Sequence, residues 1–265
     1  MSERSFSTNI GMTMTTAAEL FDLSGRVVLI TGGSRGLGRE MALAVARAGA
    51  AVIVASRRLE ACDAVAEEVR ALGKRALPVA CHVGRWDDVS RLAETAWAEF
   101  GRVDVLVNNA GMSPHYPSLG EVTEEMWDKV LGVNLKGPFR LSALIGERMV
   151  ADGGGAIVNI SSIAANRPTA DEAPYAAAKA GLNNLTLSLA RAFAPTVRVN
   201  SVVAGPFMTD MSKSWKPEMF ERHMRRLVLG RAGEPEEIVG AVLYLASRAS
   251  SYVTGAMINV HGGGF

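Results

Sequence analysis

The sequence is poor in the features that mark several large classes of protein. Its only cysteines among 265 residues, Cys62 and Cys81, lack the paired spacing of a zinc site or a disulfide framework. A formal net charge of +1 provides no overall field that would recruit nucleic acid or an anionic membrane. The sequence has no run of about 18 apolar residues, and residues 1–20 lack the basic and apolar regions of a signal peptide. We therefore expect a cytoplasmic protein with reduced thiols and without a metal, membrane or nucleic-acid partner.

The chain does contain a regular alternation of strand-like and helix-like segments. Hydrophobic residues make up 48% of the sequence and charged residues 21%, as in an ordinary globular domain. Short apolar runs predict buried strands at 27–30, 51–55, 76–81, 103–107, 156–160, 197–203 and 256–260. Helices are predicted from about 38 to 48 and at 59–69, 87–100, 123–131, 134–150, 174–194, 208–228 and 235–246. This order predicts a single Rossmann-type α/β domain over residues 21–265, with a doubly wound parallel sheet and helices on both faces, after a mobile arm at 1–20.

A glycine-rich segment directly follows the first predicted strand. Gly32, Gly36 and Gly38 would let the backbone turn tightly and approach a pyrophosphate. The start of the next helix would offer free N–H groups to the same phosphates. The spacing differs from the common G-x-G-x-x-G pattern, and a glycine cluster alone is often just a flexible turn. Its place between a buried strand and a helix favours nucleotide binding.

The end of the second strand predicts which nicotinamide dinucleotide would bind. NAD-binding sheets usually carry a carboxylate there for the ribose diol, whereas this strand ends in Ser56, Arg57 and Arg58. These arginines, with Arg35 of the glycine-rich segment, could pair with a 2′-phosphate, and Ser56 could donate a hydrogen bond to it. A solvated basic surface would also explain the arginines. The missing carboxylate nevertheless predicts NADP(H) in preference to NAD(H).

A tyrosine and a lysine stand four residues apart in the helix predicted at 174–194. This spacing places Tyr175 and Lys179 one turn apart on the same face. A phenol has a pKa of about 10, and a nearby ammonium would lower that pKa and make the tyrosine a better acid or base. Ser162, thirteen residues upstream of Tyr175, is a possible donor to a substrate oxygen. Taken alone, such a pair is more often a packed ring and a solvated charge.

The order and spacing of these motifs resemble the short-chain dehydrogenase/reductase family. The resemblance covers about residues 22–264. It is carried by the turn from Thr31 to Gly38, the segment from Asn108 to Gly111, Asn134, Ser162, the pair Tyr175 and Lys179, and the stretch from Arg198 to Thr209.

The resemblance implies a catalytic set of four residues. Tyr175 would protonate the substrate oxygen during reduction, or deprotonate an alcohol in the reverse direction. Lys179 would bind the nicotinamide ribose and lower the pKa of the tyrosine, while Ser162 would hydrogen-bond the substrate oxygen. Asn134 would hold a water that extends a proton relay from the lysine.

The predicted cofactor site combines the segments argued from chemistry with positions that the resemblance supplies. Its members are Gly32, Ser34, Arg35, Gly36, Leu37, Gly38, Ser56, Arg57, Arg58, His82, Val83, Asn109, Ala110, Gly111, Tyr175, Lys179, Gly205, Phe207 and Thr209. His82 stands where the family often has an aspartate that accepts from the adenine amino group, so we expect the backbone of Val83 to take this role. Two further departures, Ala204 before Gly205 and His261 near the end, lie away from the catalytic residues.

The substrate is left open by the sequence. Loops at 112–119, 163–174 and 206–231 should surround it, with His115 and Tyr116 as candidate lining residues. The last loop is rich in methionine and suits an apolar lid, and its basic residues between 213 and 226 suit either an acidic substrate or a solvated helix face.

The preferred function is an NADP(H)-dependent oxidoreductase that acts on a ketone or a secondary alcohol. Alternatives within this class are a 3-oxoacyl-thioester reductase, a sugar-acid ketone reductase and a xenobiotic ketone reductase. An alternative from another class is a non-catalytic dinucleotide-binding redox sensor. Because the helix at 174–194 is apolar or small around much of its circumference, we expect a homotetramer, or at least a homodimer.

Overall fold

A central sheet organises the protein in the computed structural model, which describes residues 15–209, 221, 224–225 and 227–264. Its seven strands, all parallel, are β1 Val27–Thr31, β2 Ala51–Ser56, β3 Ala76–Ala80, β4 Val105–Asn108, β5 Gly155–Ser162, β6 Val197–Ala204 and β7 Met257–Val260. They lie in the order β3-β2-β1-β4-β5-β6-β7. This arrangement confirms the predicted Rossmann-type parallel sheet.

Helices connect successive strands and cover both faces of the sheet. They are α1 Ala17–Phe21, α2 Gly36–Arg47, α3 Leu59–Ala71, α4 Trp86–Phe100, α5 Glu124–Leu131, α6 Gly137–Ala151, α7 Ala173–Ala192 and α8 Val239–Ala246. On one face, Ile30 packs with residues of α2 and α8, and on the other Leu29 packs with residues of α4 and α6. Strands buried on both faces read as continuous apolar runs, which is why the sequence located them.

The order of the strands creates a switch point at β1. The chain adds β2 and β3 on one side of β1 and then returns to place β4 on the other side. In open parallel sheets, ligands bind in the crevice beyond the carboxyl ends of the strands at such a point. The glycine-rich segment follows β1 and the segment from Asn109 to Gly111 follows β4, so both lie at this crevice.

Several predicted elements differ from those observed. The helices predicted at 123–131 and 134–150 are joined by a π-helical turn at Gly132–Lys136. The helix predicted at 235–246 begins as a 3₁₀ turn at Pro235–Ile238. Residues 17–21 form α1, capped by Thr16, where the sequence predicted an arm without regular structure. Most of the helix predicted at 208–228 lies outside the described residues.

Across residues 15–209 and the shorter described stretches after them, none of the helices combines the length and apolar character that a bilayer crossing requires.

Candidate active site

The glycine-rich turn is shaped so tightly that only glycine fits at two of its positions. Gly32 has a φ of +65°, and a Cβ atom there would lie 2.9 Å from the Cα of Ala110. A Cβ atom on Gly38 would lie 2.1 Å from the carbonyl oxygen of Gly32. Because backbone atoms cannot move aside as a flexible side chain does, the turn packs directly onto the first turn of α2. The resulting concave backbone at a helix N-terminus fits a diphosphate.

Hydrogen bonds made by the side chains of Thr31 and Asn109 hold the turn to the end of β4. The hydroxyl oxygen of Thr31 accepts from the backbone N–H groups of Asn109 at 3.0 Å and Ala110 at 3.2 Å. In return, Nδ2 of Asn109 donates to the carbonyl oxygens of Thr31 at 3.0 Å and Gly32 at 3.2 Å. The structure therefore uses the Asn109 side chain to fix the loop that we predicted to hold phosphates.

Two serines meet at the carboxyl end of β2. The hydroxyl of Ser56 donates to Oγ of Ser34 at 2.8 Å, and the thiol of Cys62 donates to Oγ of Ser56 at 3.3 Å. Two hydroxyls in contact share one donor between them, so one hydroxyl proton of the pair is left for a ligand oxygen. Arg57 and Arg58 are exposed beside the pair, and residues 56–58 include no carboxylate. Of the predicted 2′-phosphate residues, Ser56 is thus brought into contact with the glycine-rich turn, and Arg57 and Arg58 follow it on the exposed surface.

The ring of His82 is tied to its own loop. Nδ1 accepts from the backbone N–H of Gly84 at 3.2 Å, and the backbone N–H of His82 donates to the carboxylate of Asp88 at 3.2 Å. In the neutral ring the proton is then on Nε2, which can donate but not accept. His82 therefore cannot replace an aspartate that accepts from an adenine amino group, and the role of the Val83 backbone stays a prediction.

Asn134 lies in the π-helical turn and is fully buried. Its Nδ2 donates to the carbonyl oxygens of Met112 at 2.8 Å and Val130 at 2.9 Å, and its Oδ1 accepts from the N–H of Met112 at 3.2 Å. The wide turn lets one asparagine side chain bond to its own helix and to the loop after β4. Such turns occur frequently at functional sites.

Lys179 is the most deeply buried cation near the crevice. Only 3% of the residue is exposed, and Nζ donates to the carbonyl oxygen of Ile160 at 2.7 Å. Nζ lies 5.6 Å from the centroid of the Tyr175 ring, and a Cβ atom on Gly111 would lie 3.7 Å from Nζ and 3.0 Å from Oδ1 of Asn134. Burial lowers the pKa of Lys179 to about 8.

Tyr175 sits at the start of α7, with its side chain hydrogen-bonded to Ser162 at the end of β5. Burial raises the pKa of Tyr175 to about 12, the Ser162 hydrogen bond acts in the opposite direction, and the negative charge of Glu172 adds to the rise. In the protein alone the net shift of this pKa is upward, because burial of the phenol outweighs the hydrogen bond; the lowering by Lys179 stays a prediction. A phenol with this pKa is protonated at neutral pH and can act as an acid.

A buried polar network behind the crevice escaped sequence reasoning. Nδ2 of Asn108 donates to Ser142 of α6 and to Oδ1 of Asn159, both at 2.9 Å, and Asn159 donates in turn to Thr186 of α7 at 3.0 Å. These bonds tie β4 and β5 to two helices. The signal in the sequence was a pair of asparagines inside apolar strands, of which we used only Asn108, as part of a motif.

The segment after β6 contributes less to the crevice than predicted. The ring of Phe207 is buried in the core against Gly233, so its side chain does not face a cofactor. Gly205 is packed against β7, because a Cβ atom there would lie 2.6 Å from the Cα of His261. Thr209 does lie beside the glycine-rich turn, since a Cβ atom on Gly36 would be 3.5 Å from its Cγ2. Most of the predicted lid and basic residues lie outside the described residues.

Two small openings flank the first turn of α7. A narrow one of about 140 Å³ is lined by Ser113, Pro114, Tyr116, Val130, Glu172, Pro174 and Tyr175. A wider, mostly apolar cleft of about 650 Å³ on the same measure lies on the other side of Pro174, between Leu119 and Trp127. Only the narrow opening reaches a predicted catalytic residue.

Comparison with known proteins gives consistent matches over almost the whole chain. Residues 32–264 match the family model described as enoyl-(acyl carrier protein) reductase. The chain is 38% identical over 244 residues to dehydrogenase/reductase SDR family member 4 of Pongo abelii, covering 91% of this chain and 88% of the relative. It is 37% identical over 242 residues to 3-oxoacyl-(acyl-carrier-protein) reductase FabG of Thermotoga maritima, covering 91% of this chain and 98% of that protein.

Solved structures also match this chain over most of its length. A 7α-hydroxysteroid dehydrogenase complexed with NADH and 7-oxo glycochenodeoxycholic acid superposes with a TM-score of 0.90 at 32% identity, covering 94% of this chain and 98% of that chain. A 3-oxoacyl (acyl-carrier-protein) reductase from Agrobacterium tumefaciens with NADP bound superposes with a TM-score of 0.89 at 35% identity, covering 96% of this chain and 100% of that chain.

Proposed function

The chain belongs to the short-chain dehydrogenase/reductase family, and from this premise we propose that it reduces a ketone to a secondary alcohol with NADPH. Members of the family are oxidoreductases that act on CH–OH and C=O groups with NAD(P), so the protein is an enzyme. The alternative of a non-catalytic redox sensor is therefore wrong.

The observation that supports the chemistry best is the position of Tyr175, whose ring centroid lies 5.6 Å from Nζ of the buried Lys179. When bound, the nicotinamide supplies the hydride. In our proposal Ser162 holds the substrate oxygen and Tyr175 delivers a proton to it, which requires the protonated phenol that burial maintains. Lys179 holds the nicotinamide ribose, and Asn134 orders the end of a proton path behind it.

The preference for NADPH is supported by the end of β2. Ser34 and Ser56 present hydroxyl groups there, and each is followed directly along the chain by exposed arginine, Arg35 after Ser34 and Arg57 and Arg58 after Ser56. A carboxylate, which would repel the 2′-phosphate, is missing from residues 56–58. Related structures contain NADP in two cases and NADH in another, so the choice rests on this chain's own residues.

The cofactor proposal is tested by comparing kcat/KM with NADPH and with NADH. Loss of one charged hydrogen bond to the phosphate, about 1.5 to 3 kcal/mol, should cost Arg57→Ala on the order of ten-fold or more with NADPH. Activity with NADH should stay within about two-fold, because that cofactor has no phosphate for the arginine to bind. Arg47→Ala, at the exposed far end of α2, is the matched control. Preference for NADH in the unaltered enzyme would refute the assignment.

Substrate choice requires a screen. NADPH oxidation should be followed with 3-oxoacyl thioesters, keto-sugar acids and cyclic ketones, using Tyr175→Phe as the control for the assigned acid. The resemblance to two 3-oxoacyl reductases favours the thioesters as the first alternative to a simple ketone. Full turnover by Tyr175→Phe on the best substrate would show that the proton comes from another group.

We further propose a cytoplasmic homotetramer, or a homodimer. Both cysteines are free and buried, as expected in a reducing compartment. The side of α7 away from the sheet exposes small and apolar residues, including Ala177, Ala180 and Leu187. Light scattering that gave a monomer at micromolar concentration would contradict the assembly.

A further inference from the structure

The catalytic helix α7 begins without a cap of its own. Its N-cap residue, Glu172, makes no side-chain bond to the first turn, and Pro174 at the second helical position has no N–H group to donate. The first N–H groups of a helix lack partners within the helix and need an acceptor from elsewhere. Tyr175, the proposed acid, is the third residue of this turn, so the order of the turn determines where the phenol points.

The missing acceptor comes from a residue 57 positions earlier. The backbone N–H of Ala173 donates to Oη of Tyr116 at 2.7 Å. Since an N–H group can only donate, the proton of Tyr116 is free for the other bond, and Oη donates to the carbonyl oxygen of Ala170 at 2.7 Å. One hydroxyl therefore joins the loop after β4 to both ends of the 3₁₀ turn that leads into α7.

The bridge is adjacent to the chemistry. The Tyr116 ring lines the same narrow opening as Tyr175 and Pro174. Its hydroxyl is bonded to Ala173, two residues before the proposed acid, on a turn that also carries Glu172. A phenylalanine at position 116 would keep the ring in this opening and remove only the two hydrogen bonds.

We propose that Tyr116 is a positioning residue for catalysis: its hydroxyl caps α7 from outside the helix and holds Tyr175 in place against Ser162. This role rests on the proposed reductase function, in which Tyr175 is the acid. Tyr116 does not itself touch the reacting atoms.

The test compares Tyr116→Phe with Tyr252→Phe, which alters a fully exposed tyrosine. We expect Tyr116→Phe to lower kcat on the order of ten-fold, because a small displacement of a reacting group is costly. The Kd for NADPH, measured by fluorescence, should change less than about two-fold, because the hydroxyl supports the acid and not the nucleotide. The primary isotope effect with 4-deuterated NADPH should rise toward its intrinsic value as the chemical step becomes slower. Tyr252→Phe should match the unaltered enzyme in all three measurements.

Two results would overturn the proposal. One is an unchanged kcat in a folded Tyr116→Phe variant. The other is a loss of kcat with an unchanged isotope effect and a parallel loss of NADPH binding, which would indicate general damage to the fold.

Amide hydrogen exchange tests the bridge without relying on turnover. In the unaltered enzyme the Ala173 amide should be protected, although it is the first of its helix, and this protection should be lost in Tyr116→Phe. Rapid exchange of Ala173 in the unaltered enzyme would refute the bridge itself. If no ketone is reduced in the screen but Ala173 is protected, the proposed function fails while the bridge stands.

Discussion

Replacing Lys179 with methionine is expected to abolish activity and to make the free enzyme more stable. Burial lowers the pKa of this lysine from 10.5 to about 8, which means that the fold disfavours its charged form. The shift is the difference between those values, about 2.5 pKa units, and corresponds to roughly 3 kcal/mol at pH 7. Removing the buried charge should stabilise the folded state by this amount. Methionine cannot make the hydrogen bond to the Ile160 carbonyl, and the loss of that bond offsets about 1 kcal/mol of the stabilisation. The net stabilisation should be about 2 kcal/mol at neutral pH.

The sign of the pH dependence follows from the same shift. Between pH 8 and 10.5 the unfolded chain holds a proton on Lys179 that the folded protein has released, so the stability of the unaltered enzyme rises with pH in this window. Below pH 8 the lysine is charged in both the folded and the unfolded state, and burial of this charge destabilises the folded state by the full amount. Above pH 10.5 it is neutral in both states, and the penalty is absent. The advantage of Lys179→Met should therefore be complete at pH 7 and disappear by about pH 10.5.

Urea unfolding at fixed protein concentration, without cofactor, measures the effect. With a denaturant slope of about 3 kcal/mol/M, the midpoint of Lys179→Met should lie about 0.7 M above that of the unaltered enzyme at pH 7. Lys129→Met, at an exposed position on α5, provides the matched control and should not show this pH-dependent gain. A lower midpoint for Lys179→Met at pH 7, or an equal gain at pH 7 and pH 10.5, would refute the reasoning.

Two further predictions concern the cofactor site. Gly38→Ala should raise the Kd for NADPH more than about ten-fold and destabilise the fold by about 1 to 3 kcal/mol, because the new Cβ atom would lie 2.1 Å from the Gly32 carbonyl oxygen. Gly240→Ala is the control, because a Cβ atom there meets nothing within 4 Å. Equal Kd values for the two variants would contradict the prediction. His82→Asp should add a second acceptor for the adenine amino group beside the Val83 backbone, because the ring nitrogen of His82 that could accept is engaged by Gly84. The preference for NADPH over its deamino analogue, measured as the ratio of the two Kd values, should then rise by about ten-fold relative to the unaltered enzyme, the value of one hydrogen bond; an unchanged ratio would contradict the prediction.

The fold was largely predictable because its strands are buried on both faces. Val27 to Thr31 and the equivalent runs had to be apolar without interruption, and such runs stand out between helical patterns. The joint between α5 and α6 was predicted less well. In a π turn each backbone hydrogen bond spans five residues instead of the four of an α-helix. The apolar pattern around Asn134 does not distinguish the two kinds of turn.

For the candidate site, the sequence predicted which residues take part but not their electrostatics. Residue types and order were sufficient to select Ser162, Tyr175 and Lys179, since the chemistry needs those groups. Their electrostatics could not be read from spacing, because the pKa of Tyr175 is set by how deeply the whole fold buries the phenol. The same limit applies to the Tyr116 bridge, which joins residues 57 positions apart through backbone atoms that carry no sequence signal.

The π turn at Gly132–Lys136 also determines how the chain tolerates changes of length. Its extra residue turns everything after it by about 100° relative to a continuous α-helix. Deleting one residue there would restore regular α-helical bonding, yet it would rotate Leu141, Ile145 and Met149 of α6 out of the core that they fill. It would also carry Asn134 away from Met112. Insertions and deletions should therefore not be accepted in the turn that follows α5, although nothing in its length or composition sets it apart from an ordinary helical turn.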